Sequence, residues 1–384
     1  MATTYAAPPM ATATTGPSAA GWVARGFVWV ALFIAMVLPA LTIDFAQACS
    51  LAAVYAVTGV SLNIIIGYTG QLSLGHQGFV GLGALTAANV VQRQIGKTAT
   101  STPMSSFALG LLAAVVVTAV AALLLGLVAL RIRGLYLALI TLVFGLAVAS
   151  SLFQLGSLNN NGSGVPANRP TLIDSNAKYY LFSLLMIALV LYLDFCLMRS
   201  KAGRALLALK EDERVASAFG IPVTRYKLIA FALAGGMVGL AGAMFTFRSQ
   251  AFAAQNFGGN AGLNLALLFV VMVVVGGLGD RVGVVVAAAF FGLLDYLLDK
   301  LFMAGPVMRA LKDVPLLNAY YGPNKASVAG LIGAVLLLQT LVFNPGGVGQ
   351  VLGPLRRWLV GQRFTLHAES ESGPRPVEGS AARA

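Results

Sequence analysis

The chain has 384 residues, of which 10% are charged and 58% are apolar. A soluble domain carries about 25% charged residues, so this composition excludes a disordered chain, argues against a soluble enzyme and fits a protein whose main solvent is lipid. The net charge of +12 comes from 25 Lys and Arg against 13 Asp and Glu; in a membrane protein such an excess marks cytoplasmic loops and contact with anionic lipid, and it implies no nucleic-acid partner.

Residues 1–24 are rich in Ala, Thr, Pro and Ser, carry no charge, and read as a flexible tail. Arg25 then precedes an apolar run over 27–43. This run reads as an uncleaved first span. A signal peptide ending at Ala46-Gln47-Ala48 is the other reading. Further apolar runs follow at 49–68, 74–91, 107–130, 135–153, 179–198, 226–247, 263–276, 283–303 and 327–343. Each is near the length of about 20 residues that a helix needs to cross a bilayer. The expected fold is therefore an all-α polytopic helical bundle of about ten spans over 25–350. A basic and then disordered tail covers 351–384. Two glycine sets, Gly75/Gly78/Gly81 and Gly235/Gly239/Gly242, stand at helix-packing spacing; in lipid, close helix approach depends on such small residues.

Placing the N-terminus inside and alternating through ten spans puts sixteen of the 25 basic residues on the cytoplasmic side. That bias predicts cytoplasmic termini. Two cysteines, Cys49 and Cys196, make no disulfide framework, and with His76 and His367 they lack zinc-ligand spacing.

One polar island interrupts the apolar pattern. Residues 199–227 read RSKAGRALLALKEDERVASAFGIPVTRYK and hold seven basic residues beside the consecutive acids Glu211, Asp212 and Glu213. Helix formers run from Gly203 to Phe219 and stop at Gly220-Ile221-Pro222. The segment is too polar to span and predicts a short amphipathic helix on the cytoplasmic face. Two readings follow: a surface helix held by headgroups, or a docking helix for a soluble partner.

This island resembles the coupling loop of branched-chain amino-acid type ABC importer permeases. Gly203, Arg204, Ala205, Leu206, Ala208, Lys210, Glu211, Asp212, Glu213, Ala216, Gly220 and Ile221 match that family's pattern, with Ser217 where a second Ala is usual. Similar stretches lie at 61–84, 131–145 and 276–283. The resemblance implies a bacterial inner-membrane permease subunit that forms half of a translocation path. It implies a second permease subunit, two cytoplasmic ATPases and an extracytoplasmic solute-binding protein as partners, besides membrane lipid. ATP and Mg would be bound by the ATPases and no cofactor by this chain. Arg204, Lys210, Glu211, Asp212, Glu213, Ala216 and Gly220 would couple to the ATPase.

The sequence carries no catalytic set and no metal site. Gly96-Lys97-Thr98 mimics the end of a phosphate-binding loop, but Val91 stands where its first Gly is needed. Gly277, Gly279 and Gly283 read as a tight turn. A membrane enzyme would rest on Asp295 and Asp299, one helical turn apart, whose other reading is a helix end meeting water. Asp194 is expected to meet Arg or water. A stand-alone carrier or channel would need a buried carboxylate relay, and only scattered acids are present.

The stretch GYTGQLSLGHQG over 67–78 breaks the apolar pattern with glycines and polar side chains. Irregular backbone at membrane depth lines a cavity or is buried in protein, and transporters use such breaks to offer helix ends to charged groups. Asn63, Gly70, Ser73, Gly75, His76 and Gln77 are the substrate-path candidates, with a short cytoplasmic turn as the alternative. Asn160 joins them because Asn159-Asn160-Asn161 replaces a Thr-Gly-Gly frequent in the resembling family, while Gly162, Gly164 and Pro166 remain. That departure keeps urea and short amides open beside branched-chain amino acids.

Overall fold

The computed structural model describes residues 42–96, 102–129, 134–298 and 347–360, with a few isolated positions. Eleven α-helices account for most of them. They are α1 (Ile43–Asn63), α2 (His76–Ile95), α3 (Met104–Ala129), α4 (Leu135–Ser150), α5 (Asn176–Arg199), α6 (Lys201–Glu211), α7 (Glu213–Ala218), α8 (Val223–Ser249), α9 (Gly259–Gly276), α10 (Arg281–Leu298) and α11 (Gly347–Val360). A two-residue antiparallel pair, β1 (Val165–Pro166) with β2 (Ala251–Phe252), is the one sheet among the described residues. Residues 35–351 form one unit; residues 1–34 with 352–384 form a second, of which only part of α11 is described.

The all-α polytopic architecture is borne out. Five stretches are long and apolar enough to cross a membrane: Asp44–Tyr68, Met104–Val128, Leu135–Gln154, Asn176–Arg199 and Val223–Ser249. Two shorter apolar helices, Ala261–Gly276 and Arg281–Leu294, fall on the eighth and ninth expected spans. The third expected span is α2, whose polar first turn lowers its apolar character. The runs at 27–43 and 327–343 lie largely outside the described residues, as do Asp299, His367 and the tail after 360.

Helix α8 is the central pillar and packs against α1, α2 and α3. Small residues let those axes approach. A methyl group at Gly239 would stand 2.6 Å from the Ala114 carbonyl oxygen of α3, and one at Gly78 would stand 2.6 Å from Gly145 Cα of α4. The glycine sets are thus packing devices, as their spacing predicts. α1 and α8 are mostly buried, whereas α3, α4 and α5 present apolar side chains outward, Leu112 being 61% exposed. Such outward Leu and Val are stable only against lipid or another apolar helix.

The end opposite the polar island is closed by side-chain caps. Arg169, in the loop before α5, is buried. It donates from Nε to the Phe247 carbonyl at 2.7 Å and from its terminal nitrogens to the Arg248 carbonyl at 2.6 Å and Asn176 Oδ1 at 2.9 Å. A cation at the last carbonyls of α8 satisfies groups a helix end leaves unpaired and suits its dipole. Burial lowers the guanidinium from its ordinary pKa. Its face also lies 4.2 Å from the Tyr179 ring, and Tyr179 donates to the Met244 carbonyl at 2.5 Å.

Candidate functional site

The polar island folds as two helices where the sequence predicted one. Ser200 ends α5 and starts α6: its N–H donates to the Leu197 carbonyl at 3.0 Å, and its Oγ accepts from Ala202 N at 3.1 Å and Gly203 N at 3.3 Å. A one-residue joint capped on both sides fixes α6 to α5. α6 buries Gly203, Ala205, Leu206 and Leu209 and exposes Arg204, Lys210 and Glu211.

Asp212 then turns extended, at φ −157° and ψ 116°, and breaks the helix. Its Oδ1 accepts from Arg214 N at 2.7 Å and Val215 N at 3.2 Å, so it caps α7. An Asp with Glu behind it is a helix-start signal, and the run of helix formers around it concealed that signal. α7 ends in a Schellman turn: Gly220 N donates to the Ser217 carbonyl at 3.0 Å and Ile221 N to the Ala216 carbonyl at 3.1 Å. Gly220 takes φ +78°, where only glycine is unstrained.

Several predicted coupling residues thereby have intramolecular work. Glu213 pairs with the buried Lys227 of α8. Ala216 is buried within this chain, and Asp212 is a cap. Arg204, Lys210 and Glu211 stand on the outer surface. So do apolar residues that the charge pattern hid: Leu207 is 42%, Val215 52% and Phe219 83% exposed.

The break between α1 and α2 lies directly against this element. α1 runs into a fully buried π-helical turn, Ile64–Tyr68, a form concentrated at functional sites. Thr69 Oγ1 donates to the Ile65 carbonyl at 2.5 Å and Gln71 N to the same carbonyl at 3.1 Å. Gly70, at φ +70°, faces Lys210 of α6. Leu74 N donates to Thr141 Oγ1 of α4 at 3.0 Å.

Four predicted path residues meet here with Asn63. Ser61 Oγ donates to the Ala234 carbonyl of α8 at 2.7 Å, so toward His76 Nε2, 3.4 Å away, it can only accept. That places a proton on Nε2, while Nδ1 lies 3.3 Å from Ser73 Oγ. His76 thus ties α1 to the break, and Ser61 links the pair to α8. Asn63 Oδ1 accepts from Gly279 N at 2.9 Å in the turn between α9 and α10. Gly75 packs on the Thr141 carbonyl. Gln77 is fully buried in the α2–α4 seam, and neither of its amide atoms has a hydrogen-bond partner.

The π turn also reaches an ion pair. Tyr68 Oη donates to Asp194 Oδ2 at 3.3 Å, and Arg281 Nε lies 3.2 Å from the same oxygen. Asp194 therefore meets an arginine, as expected, at the first position of α10. Asn160 does not join this group. It sits at the opposite end, takes φ +47°, and donates to the Gly164 carbonyl at 3.0 Å and to Gln92 Oε1 at 3.4 Å. The 277–280 stretch is a turn ended by Asp280, whose Oδ1 accepts from Val282 N at 2.9 Å. Among the described residues, no three His, Cys, Asp or Glu side chains gather as a metal site.

Residues 45–319 match the family model described as branched-chain amino acid transport system / permease component. The high-affinity branched-chain amino acid transport system permease protein LivM of Salmonella typhimurium is 31% identical over 294 residues, which cover 68% of this chain and 65% of that protein. LivM of Escherichia coli is 31% identical over 275 residues, covering 64% of this chain and 61% of that protein. The match thus spans a little under two thirds of these relatives' length. No solved structure matches the chain. A helical membrane fold, a broken span and a capped polar helix pair, together with a family match that runs from α1 past α10, lead to one conclusion: the chain belongs to the family of branched-chain amino acid transport system permease components.

Proposed function

We propose that this chain is a membrane-spanning subunit of an ATP-driven importer of branched-chain amino acids, seated in the bacterial inner membrane with both termini in the cytoplasm. It supplies half of the translocation path. A second permease subunit supplies the other half, an extracytoplasmic binding protein delivers the solute, and two cytoplasmic ATPases bind ATP and Mg and do the hydrolysis.

The observation that carries this reading is the α6–α7 element. It is fixed to α5 by Ser200 and to α8 by the Glu213–Lys227 pair, yet it leaves Phe219 83% exposed on an element that also exposes Arg204, Lys210 and Glu211. An exposed aromatic on an element that also exposes charge has the make-up of an interface, in which aromatic anchors and polar groups are both common. Its rigid joints would pass a push on this surface into α5, α8 and the break at Gly70. Asn63, Ser73, Gly75, His76 and Gln77 would then be path or hinge residues. Asn160 serves its own loop turn, so its departure from the family pattern gives urea and short amides no support over branched-chain amino acids.

Charge reversal by Glu211→Lys tests the reading, because Glu211 caps no helix. In proteoliposomes holding the full importer it is expected to lower uptake at least tenfold while ATP hydrolysis continues. Unchanged uptake per ATP, or uptake by this chain without ATPases, would overturn it.

A further inference from the structure

One carboxylate ties three elements of the bundle together. Asp194 stands on α5, near the end that carries α6, and is fully buried. Tyr68 of the buried π turn donates to its Oδ2 at 3.3 Å. Arg281 Nε, at the first position of α10, lies 3.2 Å from the same oxygen.

Two features mark this joint as incomplete. A buried ion pair repays its desolvation only when the remaining lone pairs are satisfied, yet Asp194 Oδ1 is shut from solvent and has no hydrogen-bond partner. Oδ2 thus holds both neighbours and Oδ1 holds none. Arg281 also opens a helix, where a cation has the wrong sign for the helix dipole, so α10 itself gains nothing from it. A guanidinium is a planar fork that can serve both oxygens of one carboxylate. The Arg281 side chain is not locked in the core, since it is 23% exposed.

We propose that Asp194 is a two-position switch that positions the broken span for transport. In the present position Oδ2 holds Tyr68 and Arg281 together. In the other, the Arg281 fork takes both oxygens, Oδ1 gains the donor it lacks, and Tyr68 is released. The connections of α5 supply the motion: Ser200 fixes α6 to its end, so a push on α6 carries Asp194 with it. The α9–α10 turn stays in register with α1, because Asn63 Oδ1 accepts from Gly279 N at 2.9 Å. α5 therefore moves against a joined pair, and Tyr68 passes the exchange to the π turn. This gives the α6–α7 element a second route to the break, besides the contact of Lys210 with Gly70. The role in transport rests on the importer reading; the two positions do not.

The test uses the full importer in nanodiscs, in a Cys49→Ala, Cys196→Ala background. Spin labels go on Leu185→Cys of α5 and Val286→Cys of α10, both at exposed positions. Pulsed electron spin resonance reads the distance between them without nucleotide and with ATP trapped by vanadate. Wild type should show one distance without nucleotide and a second when trapped. Arg281→Lys keeps the charge pair but cannot fork, so it should lose the second distance and lower leucine uptake per ATP at least tenfold. Tyr68→Phe keeps the pair and frees Oδ2, so it should populate the second distance without nucleotide. Opposite responses separate a switch from a packing joint, which would loosen in both variants. Tyr68→Phe removes only a hydroxyl, so a folding fault in Arg281→Lys leaves that comparison intact. A single distance in wild type under both conditions, full uptake per ATP in Arg281→Lys, or wild-type distances in both variants would overturn the switch. Two distances that the variants shift in opposite directions, in a preparation that imports nothing, would uphold the switch and remove the importer reading instead.

Discussion

Replacing Arg169 by Met would strip the end of α8 of its cap. The carbonyls of Phe247 and Arg248 would lose buried charge-assisted donors, at about 2–4 kcal/mol. A lowered thermal midpoint in detergent checks this, with Arg169→Lys recovering only part of it, since one ammonium cannot reproduce a planar fork. Gln77 gives the opposite expectation. Its buried amide has no partner, so Gln77→Leu should raise the midpoint by removing a desolvation cost of about 1–3 kcal/mol. If the amide meets solute or water when the α2–α4 seam opens, the same variant should lose uptake. Neither role was legible in the sequence. Arg169 stands in no sequence pattern, because only folding brings α8's end to it. His76 was legible as a polar residue of the break, yet its hydrogen bonding depends on Ser61, whose own partner Ala234 lies 173 residues further on.

Among the elements, the α6–α7 pair shows what pattern reading catches and what it misses. Helix formers and the Gly220 stop located the element and its end. The internal joint at Asp212 stayed hidden, because a cap is a matter of backbone angle and the surrounding residues favour helix. Asp212→Ala should cost α7 about 1 kcal/mol. Gly220→Ala should cost about 1–2 kcal/mol at its positive φ, and Gly220→Asn less, because Asn tolerates that conformation. Hydrogen exchange over 213–221 would register all three, with Gly220→Ala losing more protection than Gly220→Asn. The break was likewise legible over 67–78 from its glycines and polar residues, and the structure places it at 64–75. Its π turn and its contacts with α4, α5, α6 and the 277–280 turn were not, since each partner is distant in sequence.

At the scale of the whole molecule, charge scarcity identified the solvent and charge position located the α6–α7 element. Most spans of the bundle followed from apolar run length alone, because a helix in lipid must satisfy its own backbone. The packing centre did not: α8 is no more apolar than α3 or α5, and its burial follows from the glycines that admit its neighbours. In the proposed function, a soluble motor grips the molecule at the exposed apolar face of α7 and drives the path through the break beside it. Phe219→Asp tests this most directly, because the side chain is 83% exposed and its loss leaves the bundle's core untouched. Co-purification of the ATPase subunits and ATP-dependent leucine uptake should both fall at least tenfold, with the thermal midpoint of the chain unchanged. Full ATPase recruitment and full uptake in that variant would show that the motor does not grip α7.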